Sequence, residues 1–149
     1  MKRPFVGIED IIDLFLAKGA NINDKNSAGL TPLHILVSRQ DYIYFSRSFN
    51  RAQIPSLVKF LLRKGALINA QDNVGDTPLH VAVKAQDSDS ILVLLNNNCD
   101  TSVLNKAELT ALELAKKINS NSVILAMLEN PEAFIKPADK VVVETDNQL

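Results

Sequence analysis

One short pattern occurs three times in this sequence and constrains its fold more than any other feature. The stretch Gly75–Ala82 reads Gly-Asp-Thr-Pro-Leu-His-Val-Ala, residues 29–34 read Gly-Leu-Thr-Pro-Leu-His, and residues 108–115 read Glu-Leu-Thr-Ala-Leu-Glu-Leu-Ala. Each copy predicts a loop followed by a helix start, because the Thr hydroxyl can cap the first turn and Pro suits the first helical position. The copies begin 46 and then 33 residues apart. The chain therefore repeats a unit of 33 residues, with an insertion in its first interval.

A second pattern marks where the helices end. Lys18–Asn23 reads Lys-Gly-Ala-Asn-Ile-Asn and Lys64–Asn69 reads Lys-Gly-Ala-Leu-Ile-Asn, while the third copy has Asn98 in place of the glycine. Glycine, and after it Asn, is the residue that best tolerates the left-handed conformation beyond a helix end. At the third helix start, Thr110 and Glu113 stand three residues apart, which predicts a reciprocal capping box.

With these motifs and this period, the chain resembles the ankyrin repeat family over about residues 8 to 130. The resemblance implies an all-α solenoid of stacked antiparallel helix pairs with β-hairpin loops, and protein binding as the usual role. It divides the chain into an ankyrin repeat domain and a flexible tail, with these approximate parts: domain 1–130, half repeat 8–23, repeats 24–70, 71–103 and 104–130, insertion 41–53, tail 131–149.

Composition narrows the class of protein and its partners. The 149 residues include 16 basic and 17 acidic side chains, a formal net charge of -1, and no long run of one sign. A general nucleic-acid binder needs a basic footprint, so we expect no nucleic-acid partner. The longest apolar run, Ile91–Leu95, is far shorter than a membrane span, so we expect no membrane insertion. We expect an intracellular, cytoplasmic protein, or one in the host cytosol if it is a secreted effector.

Helical periodicity begins at once, in a helix that lacks its partner. Residues 8–18 match the second helix of a repeat with no first helix before it, and their apolar positions leave an uncovered flank. Three explanations compete: residues 1–7 fold back as a cap, the chain is a piece of a longer protein, or the flank is a contact surface. The N-terminal stretch is too short to hide much area, so we favour the last two, and self-association through this flank is one form of the third.

The remaining helices follow from the repeats, and two details depart from them. We expect helices at 32–40, 55–64, 78–86, 89–97, 111–118 and 121–129. Glu108 stands where the equivalent loop has Gly75, so we expect the third loop to be altered or looser. Asn130 and Pro131 end the last helix, and Phe134 and Ile135 are expected to fold back over the stack.

The insertion is rich in aromatic and arginine side chains. One interpretation is a satellite core formed by Ile43, Phe45 and Phe49. The other is a recognition surface, since Tyr and Arg are enriched in binding hot spots. The two are compatible, and the outward candidates are Tyr42, Tyr44, Arg47 and Arg51.

The potentially reactive residues fit structural roles. His34 and His80 occupy equivalent positions, and the ankyrin resemblance implies that they hydrogen-bond between neighbouring loops. Cys99 takes the place of Ala20 and Ala66, which favours a small packed residue over a nucleophile. Zinc-ligand spacing, a phosphate-binding glycine loop and a nucleophile elbow are absent from the sequence. We therefore expect no enzyme activity, no cofactor and no metal.

The resemblance implies contacts from the hairpin tips and from the exposed end of each first helix. Candidate binding residues are therefore those at the equivalent positions, or slots, of each repeat. Here those slots hold Ser27, Ala28, Leu30, Ser38 and Arg39, then Asn73, Val74, Asp76, Lys84 and Ala85, then Lys106, Ala107, Leu109, Lys117 and Ile118. They are either solvated loop residues or an interface. Exposed apolar residues among them favour the interface.

The leading hypothesis is a noncatalytic module that binds a protein partner through its concave surface, with the insertion as an extra contact. The alternative is a targeting or scaffolding fragment of a larger protein, such as a secreted bacterial or viral effector acting in a host cell.

Overall fold

The computed structural model describes residues 7–38 and 51–136, apart from the side chain of Arg51. These residues form seven α-helices and two short 3-10 turns, and within them there is no β-strand. The expected all-α fold is confirmed, and each expected helix is present with small shifts at its ends. The elements are α1 (Ile8–Ala17), α2 (Pro32–Val37), α3 (Ile54–Arg63), α4 (Pro78–Lys84), α5 (Ser88–Asn96), α6 (Ala111–Lys117) and α7 (Ser122–Glu129), with 3-10 turns at Arg51–Gln53 and Pro131–Ala133.

The repeated Thr does start each first helix. The hydroxyls of Thr31, Thr77 and Thr110 accept from the amide three residues on, at 3.5, 3.4 and 3.2 Å. Glu113 completes the expected capping box, since its carboxylate accepts from the Thr110 amide at 2.8 Å. Hydrogen bonds from the backbone and the side chain of Thr110 lower the pKa of Glu113.

The helix ends also follow the sequence prediction. Gly19 and Gly65 have φ values of 95° and 94°, and Asn98 takes the same left-handed region at 58°. Cys99, the next residue, is half-buried against the core, and burial raises the pKa of its thiol to about 12. The thiol is therefore protonated at neutral pH, as expected for a packed residue and not for a nucleophile.

The helices pack in two rows. The first helices α2, α4 and α6 stand side by side, the second helices α3, α5 and α7 do the same, and each first helix packs on its own second helix. One continuous apolar cluster fills the space between the rows; its fully buried members include Leu33, Val37, Val58, Leu79, Ala82, Ile91, Leu94, Ala115 and Ile124. Each large side chain of this kind contributes roughly 1.5–3 kcal/mol on burial.

The expectation of an altered third loop is wrong. Glu108 has a φ of 60° and keeps the turn of Gly75. In each loop the amide of this residue donates to the carbonyl three residues earlier: Gly75 to Asp72 at 3.0 Å, and Glu108 to Asn105 at 2.9 Å. The left-handed conformation costs a non-glycine residue about 1–2 kcal/mol. The hydrogen bonds of the turn hold it in place despite that cost.

The end of the described chain closes the stack. Phe134 packs on the core cluster, and the Lys136 amide donates to the Asn96 side chain at 2.9 Å. The expectation for Phe134 is therefore confirmed. The predicted satellite core of the insertion, and residues 137–149 of the predicted flexible tail, lie outside the described residues.

Candidate protein-binding surface

Three loop tips lie in register along one edge of the stack. The Asn73 amide donates to the Ala28 carbonyl at 3.1 Å, and the Lys106 amide donates to the Val74 carbonyl at 3.0 Å. The Asn73 side chain adds a bond to the Ser27 carbonyl at 2.8 Å. Each tip is thus tied to the next by its own backbone. We call the six residues of these tips the tip ridge: Ser27, Ala28, Asn73, Val74, Lys106 and Ala107.

The side chains of the tip ridge are all exposed, with Val74 at 54%. The two loop glycines allow the close approach of the loops. A Cβ atom at Gly29 would lie 2.7 Å from the Asn73 amide nitrogen, and one at Gly75 would lie 2.7 Å from the Lys106 amide nitrogen. Both glycines are therefore required for the stacking of the loops as well as for their left-handed turns.

The two histidines join neighbouring repeats beneath the ridge. The Nδ1 atom of His34 accepts from the Thr31 amide at 3.2 Å, so its Nε2–H donates to the Asp76 carbonyl at 2.9 Å. His80 repeats this arrangement with Thr77 at 3.2 Å and the Leu109 carbonyl at 2.9 Å. The inter-loop hydrogen bonds expected of both histidines are confirmed. Burial lowers the pKa of His34, which favours the neutral ring that this arrangement needs.

Asp76 does not occupy the exposed position that we expected. It is buried, and its carboxylate accepts from the Asn105 side-chain amide at 2.9 Å and from the Lys84 ammonium. These two donors satisfy a charge that could not otherwise be buried. The equivalent residues, Leu30 and Leu109, are half-buried. The signal was therefore in the sequence, since two of the three equivalent positions are apolar.

The predicted contact residues at the helix ends beside the ridge differ in exposure. Lys84, Lys117 and Ile118 are exposed, whereas Ser38 and Ala85 are half-buried. Sequence reasoning missed Ile35, an exposed apolar residue of α2. Its counterparts Val81 and Leu114 are buried, so periodicity alone gave no reason to single it out.

A family model described as ankyrin repeats (3 copies) matches residues 5–100 and 45–139. The chain belongs to the ankyrin repeat family. Ankyrin repeats are generally protein–protein interaction modules and are typically noncatalytic. A search of the curated proteins gives no match.

The ankyrin fold thus explains the position of most predicted contact residues, but not of the insertion. Arg39, Tyr42, Tyr44 and Arg47 lie outside the described residues, and Arg51 is described only as the start of a 3-10 turn. Their role in binding stays a prediction.

Other kinds of site find no support in the described part of this ankyrin chain. Between residues 7 and 38 and from 51 to 136, no three His, Cys, Asp or Glu side chains are grouped so that they could hold a metal ion. In the same ranges no helix has both the length and the apolar character needed to cross a membrane.

Proposed function

We propose that this protein is a noncatalytic module that binds a protein partner through the tip ridge and the neighbouring ends of α4 and α6. The observation that supports it most is the backbone pairing between successive tips, at 3.1 and 3.0 Å. It leaves the exposed side chains of the ridge available on a fixed frame. A fixed frame favours binding, because less conformational entropy is lost when the partner docks.

The chemistry of this surface combines an apolar centre with cations. Val74 is flanked along the ridge by Lys106, and Lys84 stands at the end of α4 with its side chain 49% exposed. The ammonium at the end of the Lys84 side chain donates to the buried carboxylate of Asp76. Ordering a lysine side chain costs up to about 2 kcal/mol. Asp76 meets part of this cost before a partner arrives, so we assign it a positioning role.

The insertion is the second part of the proposal. Tyr42, Tyr44, Arg47 and Arg51 belong to the residue types that dominate binding hot spots, and the insertion joins α2 to α3. We propose that it adds contacts to those of the ridge.

The test is affinity capture from cell lysate, read by mass spectrometry. A Val74→Asp, Lys106→Glu variant changes the ridge, and Val123→Asp is the matched control, since Val123 is an exposed apolar residue of α7. Circular dichroism checks that all variants are equally helical. We expect a partner that the control retains and the ridge variant loses. A partner retained equally by both excludes the ridge.

A Tyr42→Ala, Tyr44→Ala, Arg47→Ala variant separates the contribution of the insertion in the same assay. Loss of the partner from this variant makes the insertion a recognition element. Full retention confines recognition to the ridge and the ends of α4 and α6.

The alternative, a targeting or scaffolding part of a larger protein such as a secreted bacterial or viral effector, uses the same surface and differs in what is attached to it. We propose that this protein is located in the cytoplasm, or in the host cytosol if it is a secreted effector. An antibody against this chain distinguishes the cases in fractionated source and host cells. A band near 16.4 kDa in the source cytoplasm contradicts the alternative, and a larger or host-cell band supports it.

A further inference from the structure

The Asn105 side chain does more than shape its own loop. Its Oδ1 atom accepts from the amides of Ala107 and Leu109 at 3.0 and 3.1 Å, and this shapes the third tip of the ridge. The equivalent residues accept from the same two positions of their own loops, Asn26 at 3.0 Å from both and Asp72 at 3.0 and 2.9 Å. The turn therefore requires a side-chain acceptor here, and either Asn or Asp supplies one.

The side-chain amide of Asn105 has a further contact that the turn does not require. Its Nδ2 atom donates to the Oδ1 atom of Asp76, in the preceding repeat, at 2.9 Å. The second carboxylate oxygen of Asp76, Oδ2, accepts from the Lys84 ammonium. One carboxylate thus joins the third tip to the end of α4. An Asp in place of Asn105 would supply the turn acceptor but could not donate this bond.

The burial of Asp76 makes the orientation of its carboxylate important. Asp76 is 1% exposed, whereas the Lys84 side chain is 49% exposed. A buried carboxylate is stable only where donors satisfy it. Asn105, itself half-buried and held at both atoms of its amide, fixes one oxygen of the carboxylate and leaves the other for Lys84. The exposed ammonium is therefore bound to an acceptor that is fixed from the next repeat.

We propose that Asn105 is a positioning residue of the binding surface, which acts through Asp76 to hold the Lys84 ammonium in place relative to the third tip. This inference rests on the proposed function, in which Lys84 and Lys106 contact the same partner. Lys106 directly follows Asn105 in the sequence, so the residue that holds Lys84 also shapes the turn that carries Lys106. Two cations presented together in this way lose less conformational entropy when a partner docks.

The third repeat provides an internal reference for this link. Lys117 occupies in α6 the position that Lys84 occupies in α4, but Leu109 stands where the carboxylate of Asp76 would be. Lys117 is exposed and cannot be held in the same way. Lys84 is therefore expected to be the better ordered of these two lysines in the free protein.

NMR relaxation of the lysine Cε methylene groups in the free full chain tests this order. Asn105→Ala is expected to lower the order of Lys84 to that of Lys117. Asn26→Ala is the matched control, because it removes the same two turn bonds from the first loop, and it is expected to leave Lys84 unchanged. Asn105→Ser is a second variant should Asn105→Ala fail to fold, since its hydroxyl can accept within the turn but is too short to reach Asp76. Circular dichroism checks that the variants are equally helical.

Two results of the relaxation experiment overturn the proposal. One is an order of Lys84 that is the same in wild type and in the Asn105 variants. The other is an equal loss of order in Asn105→Ala and Asn26→Ala, which means that any loosened loop has this effect. Neither result requires a partner, so neither bears on whether the tip ridge binds one.

The affinity for a captured partner measures what the link contributes to binding. Asn105→Ala is expected to weaken binding by up to about thirtyfold, the equivalent of ordering one lysine side chain, and by a smaller factor in a Lys84→Met background. Equal factors in the two backgrounds mean that Asn105 acts through the third tip alone, which overturns the proposal and leaves the proposed function intact. If no partner is captured, the proposed function is contradicted instead, and the relaxation experiment still decides whether Asn105 positions Lys84.

Discussion

The Nε2–H of His34 donates to the backbone carbonyl of Asp76 at 2.9 Å, across 42 residues of sequence. The bond joins the first helix of one repeat to the loop of the next. The carboxylate of the same Asp76 accepts from Asn105 in the following loop at 2.9 Å. Asp76 therefore connects three successive repeats, in a fold whose stability depends on contacts between neighbours.

The pH dependence of stability follows from His34. Burial lowers the pKa of His34 below 6.5, so below that pH the unfolded chain binds the proton more readily than the folded chain. The stabilisation from neutral His34 is complete above pH 6.5 and is lost as the pH falls through the lowered folded value. The slope is at most about 1.4 kcal/mol per pH unit.

Urea unfolding of wild type and His34→Gln measures this contribution at about pH 7.5 and about pH 5.5. Gln can still donate a hydrogen bond but does not titrate. Wild type is expected to lose more of its unfolding free energy than the variant over this interval. Equal losses in the two proteins mean that His34 is not the titrating group.

The loop glycines and Glu108 give opposite predictions at equivalent positions. Gly75→Ala is expected to cost more than about 2 kcal/mol, because it adds strain and places Cβ 2.7 Å from the Lys106 amide nitrogen. Glu108→Gly is expected to stabilise by about 0.5–1 kcal/mol, since it relieves a left-handed residue. Both values come from urea unfolding at constant pH. Glu108→Ala is the control, and a gain equal to that of Glu108→Gly makes the charge, not the backbone, the source of the effect.

The chemical reactivity of Cys99 can be predicted from its surroundings. Burial first, and the nearby Asp100 second, raise the pKa of Cys99 from 9.0 to about 12. The thiolate is the reacting form, and a rise of this size lowers its fraction at pH 8 by about a thousandfold, so reaction with a disulfide reagent is expected to be slow in buffer. The reaction is followed by absorbance in buffer and in urea. A rate in buffer that equals the rate in urea contradicts a packed thiol.

The features that the sequence predicted correctly depend on short-range bonds. The capping box of Thr110 and Glu113 closes over three residues, and the left-handed Asn98 satisfies a local geometric requirement. The apolar face of α1 was also predictable from helical periodicity, and its residues Ile8, Ile11, Leu14 and Phe15 are exposed. The inter-loop bonds of His34 and His80 came from the family resemblance, and the structure confirms them.

The two errors have a common cause. Asp76 turns inward because Lys84 and Asn105 satisfy its charge, and Asn105 belongs to the next repeat. Glu108 keeps the turn of Gly75 because hydrogen bonds across the loop oppose a cost of about 1–2 kcal/mol. In both cases a residue type that disfavours the position is overruled by hydrogen bonds to Asn105, which donates its side-chain amide to Asp76 from the next repeat and accepts from the Glu108 amide within the same loop.

The buried carboxylate of Asp76 provides the last prediction. Asp76→Ala leaves the Asn105 amide without this acceptor, and we expect a loss of about 1–3 kcal/mol in unfolding free energy. Asp76→Leu is expected to cost less, because the equivalent positions hold Leu30 and Leu109 and a half-buried leucine can pack there. Thermal unfolding by circular dichroism measures both variants.

Asp76→Leu, compared with Lys84→Met, also tests whether Asp76 positions Lys84. Asp76→Leu keeps most of the stability but removes the carboxylate that holds the ammonium, so its affinity for a captured partner is expected to fall while its fold persists. Lys84→Met on its own is expected to reduce that affinity to the same level. If Asp76→Leu binds as wild type does and Lys84→Met does not, Lys84 contacts the partner without help from Asp76, because its half-exposed side chain then reaches the bound position from solvent.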